Sequence, residues 1–321
     1  GAARLLVIEN SEPALHAVLE GLAAKGLRAQ IDGRIADVRD RERIFRLLGE
    51  FKPDIVFHAA AYKHVPLMER HLIEAVENNV LGAWNVARAA AEFEVEEFVL
   101  ISTDKAVQPA SVMGMTKKLA ERLCLAAGDF SGRGRYLAVR FGNVFGSAGS
   151  VVPLFEEQIA AGGPLTVPHR DMERYFMSTP EAVALVIEAG AIARGGEVFC
   201  LDMCDPVRIE DLARTMIRQS GKNIELVFSG VRPGEKLAEL LWEDNEVPTA
   251  TSHPRIRSAR LDRPHGSETQ RIVNVLARLV ETRNEEGLRS YLIEKLCAAT
   301  PKVTPELTQL SLAKARAAAG W

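Results

Sequence analysis

Phe98-Val-Leu-Ile101 is an uninterrupted apolar run that passes directly into Ser102-Thr-Asp-Lys105. No other feature restricts the fold as much. A strand that is apolar at every position must be buried on both faces, as happens to parallel strands sandwiched between helices. In open α/β sheets ligands bind outside the carboxyl ends of such strands. Met113 and Lys117 stand four residues apart on the following helical segment and therefore share a face. A hydroxyl, a carboxylate and two ammonium groups are thus expected at one crevice. The alternative is a strand-end turn with solvated charges, and the rest of the chain has to decide between them.

The flanking sequence repeats the same unit. Arg4–Glu9 reads as a short apolar strand ending in an acid, followed by a helix to about Lys25-Gly26 with Ser11 as N-cap and Pro13 in the first turn. Glu9 sits where dinucleotide folds hold the adenosine ribose hydroxyls, and equally where a strand end is simply solvated. Ile35–Arg39 precedes an amphipathic helix through Phe51, which Lys52-Pro-Asp54 breaks. Asp54–Ala61 reads as another buried strand with a small-residue exit. Tyr62–Pro66 follows as a loop, and a long helix covers roughly Glu69 to Phe93. The helix from Val112 runs to Ala127, and Tyr136–Phe141 forms the next strand. Gly142–Ser150 is then a glycine-rich loop, open to close ligand approach or to a plain turn. Strand–helix alternation of this kind predicts an α/β, doubly wound parallel sheet over residues 1–150.

From Val151 the pattern shifts to helices, short strands and arginine-bearing loops. Residues 151–321 are expected to form a smaller α/β substrate-binding region with a helical tail from Glu268, while 179–220 packs back on the first domain. Arg170, Arg174 and the Gly230–Lys236 loop bring guanidinium and ammonium groups that suit a diphosphate, although surface charge reads the same way.

Among 321 residues, 40 Lys and Arg face 43 Asp and Glu, for a net charge of −3. That balance does not predict nucleic-acid binding. No apolar run approaches a membrane span and no signal-peptide pattern opens the chain, so a soluble cytoplasmic protein is expected. Cys200 and Cys204 form a candidate redox or metal pair. Without companion ligands at zinc spacing, though, no metal is expected, and the four cysteines read as buried thiols in a reducing compartment.

Seven segments, in order, carry a resemblance: His58–Glu69, Asn78–Gly82, Ser102–Ala106, Met113 with Lys117, Arg140–Gly146, Arg174–Met177 and Arg232–Leu237. The chain resembles the extended short-chain dehydrogenase/reductases, specifically the CapD-like nucleotide-sugar 4,6-dehydratases of polysaccharide biosynthesis. The resemblance implies a Rossmann-type fold, NAD as cofactor, UDP-N-acetylglucosamine as substrate and a UDP-4-keto-6-deoxy sugar as product. A hydride leaves C4 for the cofactor, the C5 proton and the C6 hydroxyl are lost, and the hydride returns to C6. The family pattern places Lys105 as base at C5, with a pKa lowered toward working pH. Asp104 becomes the acid for the C6 hydroxyl, and Thr103 the hydrogen-bond partner of the C4 oxygen. Lys117 is implied at the nicotinamide ribose, Glu9 at the adenosine ribose, Asp37 and Val38 beside the adenine, and Ala59 and Ala60 along the cofactor. Lys63, His64, Asn143, Arg174 and Arg232 are implied as substrate contacts.

Met113 stands where most relatives carry a Tyr, so Asp104 or water must deprotonate the C4 hydroxyl. The Met version resembles the membrane-anchored branch, whose catalytic domain faces the cytoplasm and which is expected to retain configuration at C5. The family's opening strand and Gly-x-x-Gly-x-x-Gly turn have no counterpart in this sequence. The expectation is therefore a sheet without its usual central strand, weakened NAD affinity and exposed edges covered by self-association. Homo-oligomerisation through Glu69–Phe93 and Val112–Ala127 is a family expectation, and burial of those helices in the core is the alternative. A UDP-sugar epimerase and a catalytically silent UDP-sugar-binding protein are the competing functions.

Overall fold

The structure, a computed structural model, describes residues 2–146 and 150–297. Residues 147–149 of the glycine-rich loop and the Ala-rich end beyond 297 lie outside the described residues. In chain order the elements that position the site begin with β1 (Arg4–Glu9), α1 (Glu12–Ala23), β2 (Gln30–Ile35), α2 (Arg41–Phe51) and β3 (Ile55–His58). Then come α3 (Val65–Met68), α4 (Leu72–Val76), α5 (Ala83–Glu92), β4 (Glu97–Ile101), α6 (Val112–Ala127) and β5 (Arg135–Arg140). The C-terminal half adds β6 (Asn143–Val144), α7 (Val151–Ala160), β7 (Leu165–Val167), β8 (Glu173–Arg174), β9 (Phe176–Met177), α8 (Thr179–Ile192) and β10 (Glu197–Leu201). It ends with β11 (Val207–Arg208), α9 (Ile209–Ser220), β12 (Leu226–Phe228), β13 (Thr249–Ala250), β14 (Ile256–Arg260), α10 (Ser267–Glu281) and α11 (Glu285–Cys297).

Six strands form the main sheet in the order β13-β14-β10-β5-β4-β3. β3, β4, β5 and β10 run parallel, and β14 and β13 continue antiparallel. Alternate residues of β4 and β5 enter different cores. Phe98, Leu100, Tyr136 and Ala138 pack under α5 and α6, while Val99, Leu137 and Val139 pack under α8. Helices on both faces explain why these strands are apolar throughout. The doubly wound α/β expectation holds.

Several local expectations change. β3 is an edge strand rather than a buried one. β1 and β2 pair only with each other, so β3 has no second strand partner among the described residues. Ile55 and Phe57, in register with Glu97 and Val99, are therefore about half exposed, at 48% and 49%. The expected long helix over Glu69–Phe93 runs continuously from Leu72 to Glu92, but a wide π turn over Glu77–Gly82 lies between α4 and α5. The turn places Asn79 so that its side chain accepts from Tyr62 N at 2.7 Å and donates to Tyr62 O at 2.9 Å and Thr116 Oγ1 at 3.1 Å. These bonds compensate the widened turn and hold the loop after β3.

Residues 179–220 also divide. α8 and β10 join the main sheet, whereas α9 packs against α7 and β7. Its apolar stripe, Ile209, Leu212, Ala213 and Met216, faces Phe155, Leu165 and Val167. Helices α10 and α11 lay Ile272, Leu276, Leu288, Leu292 and Leu296 onto the core beneath α4 and α6. Parts of the helices expected to self-associate are thus packed within the chain. Cys124 and Cys200 are buried, but Cys204 is exposed, in a turn with φ of 55°. Among the described residues no helix is long and apolar enough to cross a membrane.

Candidate active site

A cavity of about 460 Å³ opens at the carboxyl ends of β3, β4 and β5, where an α/β sheet places its ligands. β4 delivers the central residues. Ser102 N bonds Val139 O at 2.8 Å and Asp104 N bonds Phe141 O at 3.1 Å, so the exit of β4 is tied to β5 and its loop. Thr103 then caps a short 3₁₀ turn over Asp104–Ala106, its Oγ1 accepting from Lys105 N at 3.4 Å.

The three side chains meet. Thr103 Oγ1 donates to Asp104 Oδ1 at 2.9 Å, and Lys105 Nζ donates to the same oxygen at 3.0 Å and to Asn143 Oδ1 at 3.3 Å. Asp104 has no exposed surface, and its Oδ2 has no hydrogen-bond partner. Asn143 is held by its backbone, N to Tyr175 O at 2.9 Å, where β6 pairs with β9. Gly142 is required just before it: a Cβ there would meet Tyr175 Cβ at 2.8 Å and Asp104 Oδ2 at 3.1 Å.

The charge state of Lys105 differs from the expectation. Burial pushes its pKa down, but the carboxylates of Asp104 and Glu239 outweigh burial and the Arg174 charge and raise it above the usual lysine value. Glu239 Oε1 lies 3.5 Å from Lys105 Nζ. Nothing in the local sequence signals Glu239, which arrives from a distant segment of the chain. Lys117, by contrast, is lowered: burial dominates over the opposing Glu121 and Cys124. Its Nζ donates to Ile101 O at 2.6 Å.

Thr103, Lys105, Met113, Lys117, Ala59, Lys63, His64, Asn143 and Arg174 all line the cavity. Met113 is 4% exposed and presents a thioether. Asp104, Ala60, Glu9, Asp37, Val38 and Arg232 are not among the lining residues, and Asp104 lies behind Thr103 and Lys105. Glu9 Oε1 accepts from Ser11 N at 2.9 Å, and Asp37 is held below the usual carboxylate range chiefly by hydrogen bonds from Arg39. Val38 packs beside Gly82. The Arg174 guanidinium is occupied by the carbonyls of Glu173, Lys236 and Leu237 at 2.7, 2.8 and 3.1 Å, so it fixes the neighbouring loop. Arg232 is exposed, and Arg170 lies over the Phe228 ring at 5.6 Å. No group of three or more His, Cys, Asp or Glu able to hold a metal occurs among the described residues.

The arrangement can move protons and orient a hydroxylated ligand. Residues 1–261 match the family described as polysaccharide biosynthesis protein. The chain is 48% identical over 277 residues to the capsular polysaccharide biosynthesis protein CapD of Staphylococcus aureus, covering 85% of this chain and 46% of that one. It is 49% identical over 256 residues to the probable polysaccharide biosynthesis protein EpsC of Bacillus subtilis (strain 168), covering 78% and 43%. The chain thus spans about half the length of these relatives. The X-ray structure of Pen from Bacillus thuringiensis superposes with a TM-score of 0.74 at 32% identity, covering 86% of this chain and 90% of that one.

Proposed function

Because this chain belongs to the polysaccharide biosynthesis protein family, we propose that it is the catalytic part of an NAD-dependent nucleotide-sugar 4,6-dehydratase acting on UDP-N-acetylglucosamine. The observation that carries this reading is the Thr103–Asp104–Lys105 cluster, in which a hydroxyl and an ammonium that line the cavity both donate to one oxygen of the buried Asp104 carboxylate behind them.

Each residue then has a role. Thr103 Oγ1 receives the C4 hydroxyl proton and passes its own to Asp104, which replaces the phenol that Met113 cannot supply. Asp104, now protonated, returns that proton to the C6 hydroxyl as it leaves as water. Lys105 takes the C5 proton and later restores it, which requires that its raised pKa be overcome when substrate binds. The proton balance closes, because the C4 hydroxyl proton departs with the C6 oxygen. NAD, when bound, supplies a reversible acceptor for the C4 hydride.

The cavity suits the nicotinamide end of that cofactor. Ala59 leaves room along the wall, Lys117 carries further donors, and neighbouring His58 keeps a buried Nε2 without a hydrogen-bond partner. Glu9, Asp37 and Val38 are assigned to the adenosine end. Lys63, His64 and Asn143 are assigned to the UDP-sugar, Arg174 acts by holding the loop over it, and the protein works as a homo-oligomer.

A second reading is favoured by relatives named UDP-glucose 4-epimerase, for example that of Rickettsia felis, 39% identical over 218 residues. Met113 weighs against it, because a buried thioether takes no proton. Chromatography coupled to mass spectrometry of UDP-N-acetylglucosamine incubated with the chain and NAD separates the readings. Loss of one water, abolished in Lys105→Ala while UDP-sugar binding persists, is the expected result. An isomer of unchanged mass establishes epimerisation, and an unmodified sugar leaves a binding protein.

A further inference from the structure

The segment Gly234–Glu246 crosses the catalytic loop as a strap. Three of its carboxylates, at positions 239, 243 and 246, each meet a cation from a different element. Glu246 Oε2 lies 2.7 Å from Arg140 Nη1 at the end of β5. Glu243 pairs with Lys118 on α6 and accepts from Gln108 N at 2.8 Å. Glu239 reaches Lys105 at 3.5 Å with one oxygen and Lys236 at 3.3 Å with the other. Lys236 in turn donates to Val107 O at 2.7 Å, and Arg174 fixes the strap through its carbonyls. All three glutamates are at most 8% exposed. Glu243 and Glu246 serve to fasten the strap, and of these three Glu239 is the one that lines the cavity.

An ammonium has three donors and no acceptor. Around Lys105 Nζ stand three acceptors, Asp104 Oδ1 at 3.0 Å, Asn143 Oδ1 at 3.3 Å and Glu239 Oε1 at 3.5 Å. The resting lysine is therefore fully engaged, and Glu239 is the longest of the three arms. We infer that Glu239 is a positioning residue that holds the Lys105 ammonium, so that Lys105 yields its proton only when that arm is displaced. The consequence for turnover rests on the reading of Lys105 as the C5 base, whereas the hold itself does not.

The charged groups facing Lys105 come from every neighbouring element: Asp104 beside it, Arg174 on β8, and Glu239 with Lys236 on the strap. Lys117 on α6, Lys63 and His64 after β3, and Glu235 on the strap line the same cavity. Burial pushes the Glu239 carboxyl up, but Lys105, Lys236 and Arg174 together hold it below its usual value, so it is charged at neutral pH. Glu239→Gln removes one negative charge and keeps the shape. Lys105 should then lose its proton at lower pH.

The test is competitive acetylation of lysines in the whole chain with acetic anhydride between about pH 6 and 11, read by peptide mass spectrometry. Lys118 serves as internal reference for an intact strap. A downward shift of one pH unit appears as about tenfold more Lys105 labelling at fixed pH. That shift is expected for Glu239→Gln, with Glu239→Asp keeping the wild-type profile and Lys118 unmoved in both. Identical Lys105 profiles in wild type and Glu239→Gln, or equal shifts at Lys105 and Lys118, would overturn the inference. If the Lys105 profile moves but the wild type leaves UDP-N-acetylglucosamine intact, the hold stands and the dehydratase reading falls. Where turnover exists, the acid limb of kcat/KM should move to lower pH in the Gln variant.

Discussion

His58 shows how the environment of a single residue sets its charge. It ends β3, is 4% exposed, and stacks on Phe98 with ring centroids 6.3 Å apart. Burial, with Lys117 adding to it, lowers its pKa from 6.5 to about 3. The unfolded chain takes up a proton near pH 6.5 and the folded one does not until near pH 3. Stability is therefore present above pH 6.5 and is lost as pH falls toward 3, at about 1.4 kcal/mol per unit. Urea melts at pH 7 and pH 5 should show the wild type losing about 2 kcal/mol more than His58→Asn between the two. Equal losses would mean that His58 is protonated without penalty in the fold. Residue types at the site were legible in the sequence: Thr103, Asp104, Lys105, Met113 and Lys117 all converge, because strand exit and helical spacing are local rules. The charge on Lys105 was not legible, because Glu239 and Arg174 reach it from distant parts of the chain.

At the scale of elements, the start of α6 controls where Lys105 sits. Ser111 caps the helix by accepting from Gly114 N at 3.0 Å, and Gly114 lies against the Lys105 carbonyl. In a helix Ala is normally favoured over Gly by about 1 kcal/mol. Here the added Cβ runs into backbone, which cannot rotate away, so the sign reverses. Gly114→Ala should lower turnover on the order of 10- to 100-fold by displacing Lys105, with the far-UV circular dichroism unchanged. Retained turnover would show that the Lys105 loop yields without consequence. The register of α6 could be read from its cap and spacing. The π turn before α5 could not, since apolar periodicity runs through it and only the contacts of Asn79 with Tyr62 and Thr116 reveal the extra width.

Across the whole molecule, Arg140 joins the sheet, α6 and the strap. It has no exposed surface, bonds both oxygens of Glu121 at 2.8 and 2.7 Å, and pairs with Glu246 at 2.7 Å. Glu121 also accepts from Ser102 Oγ at 2.5 Å, so the network ends at the loop after β4. Arg140→Met strands two buried carboxylates and should cost about 3–5 kcal/mol in thermal or chemical unfolding. Adding Glu121→Gln should restore part of it. A loss within about 0.5 kcal/mol, the range of an ordinary surface change, would show that the network contributes nothing.

The sequence by itself determined the strand–helix alternation, the two-sided burial of β4 and the chemistry gathered at its exit, because side-chain period and strand polarity are properties of neighbouring residues. Only the tertiary structure decided that β3 is an edge and that α10 and α11 cover α6. It alone engaged the Arg174 guanidinium with backbone carbonyls at the cavity wall and brought Glu239 up to Lys105. Those outcomes depend on which distant surfaces meet, and burial and Coulomb attraction between remote groups leave no mark on local spacing.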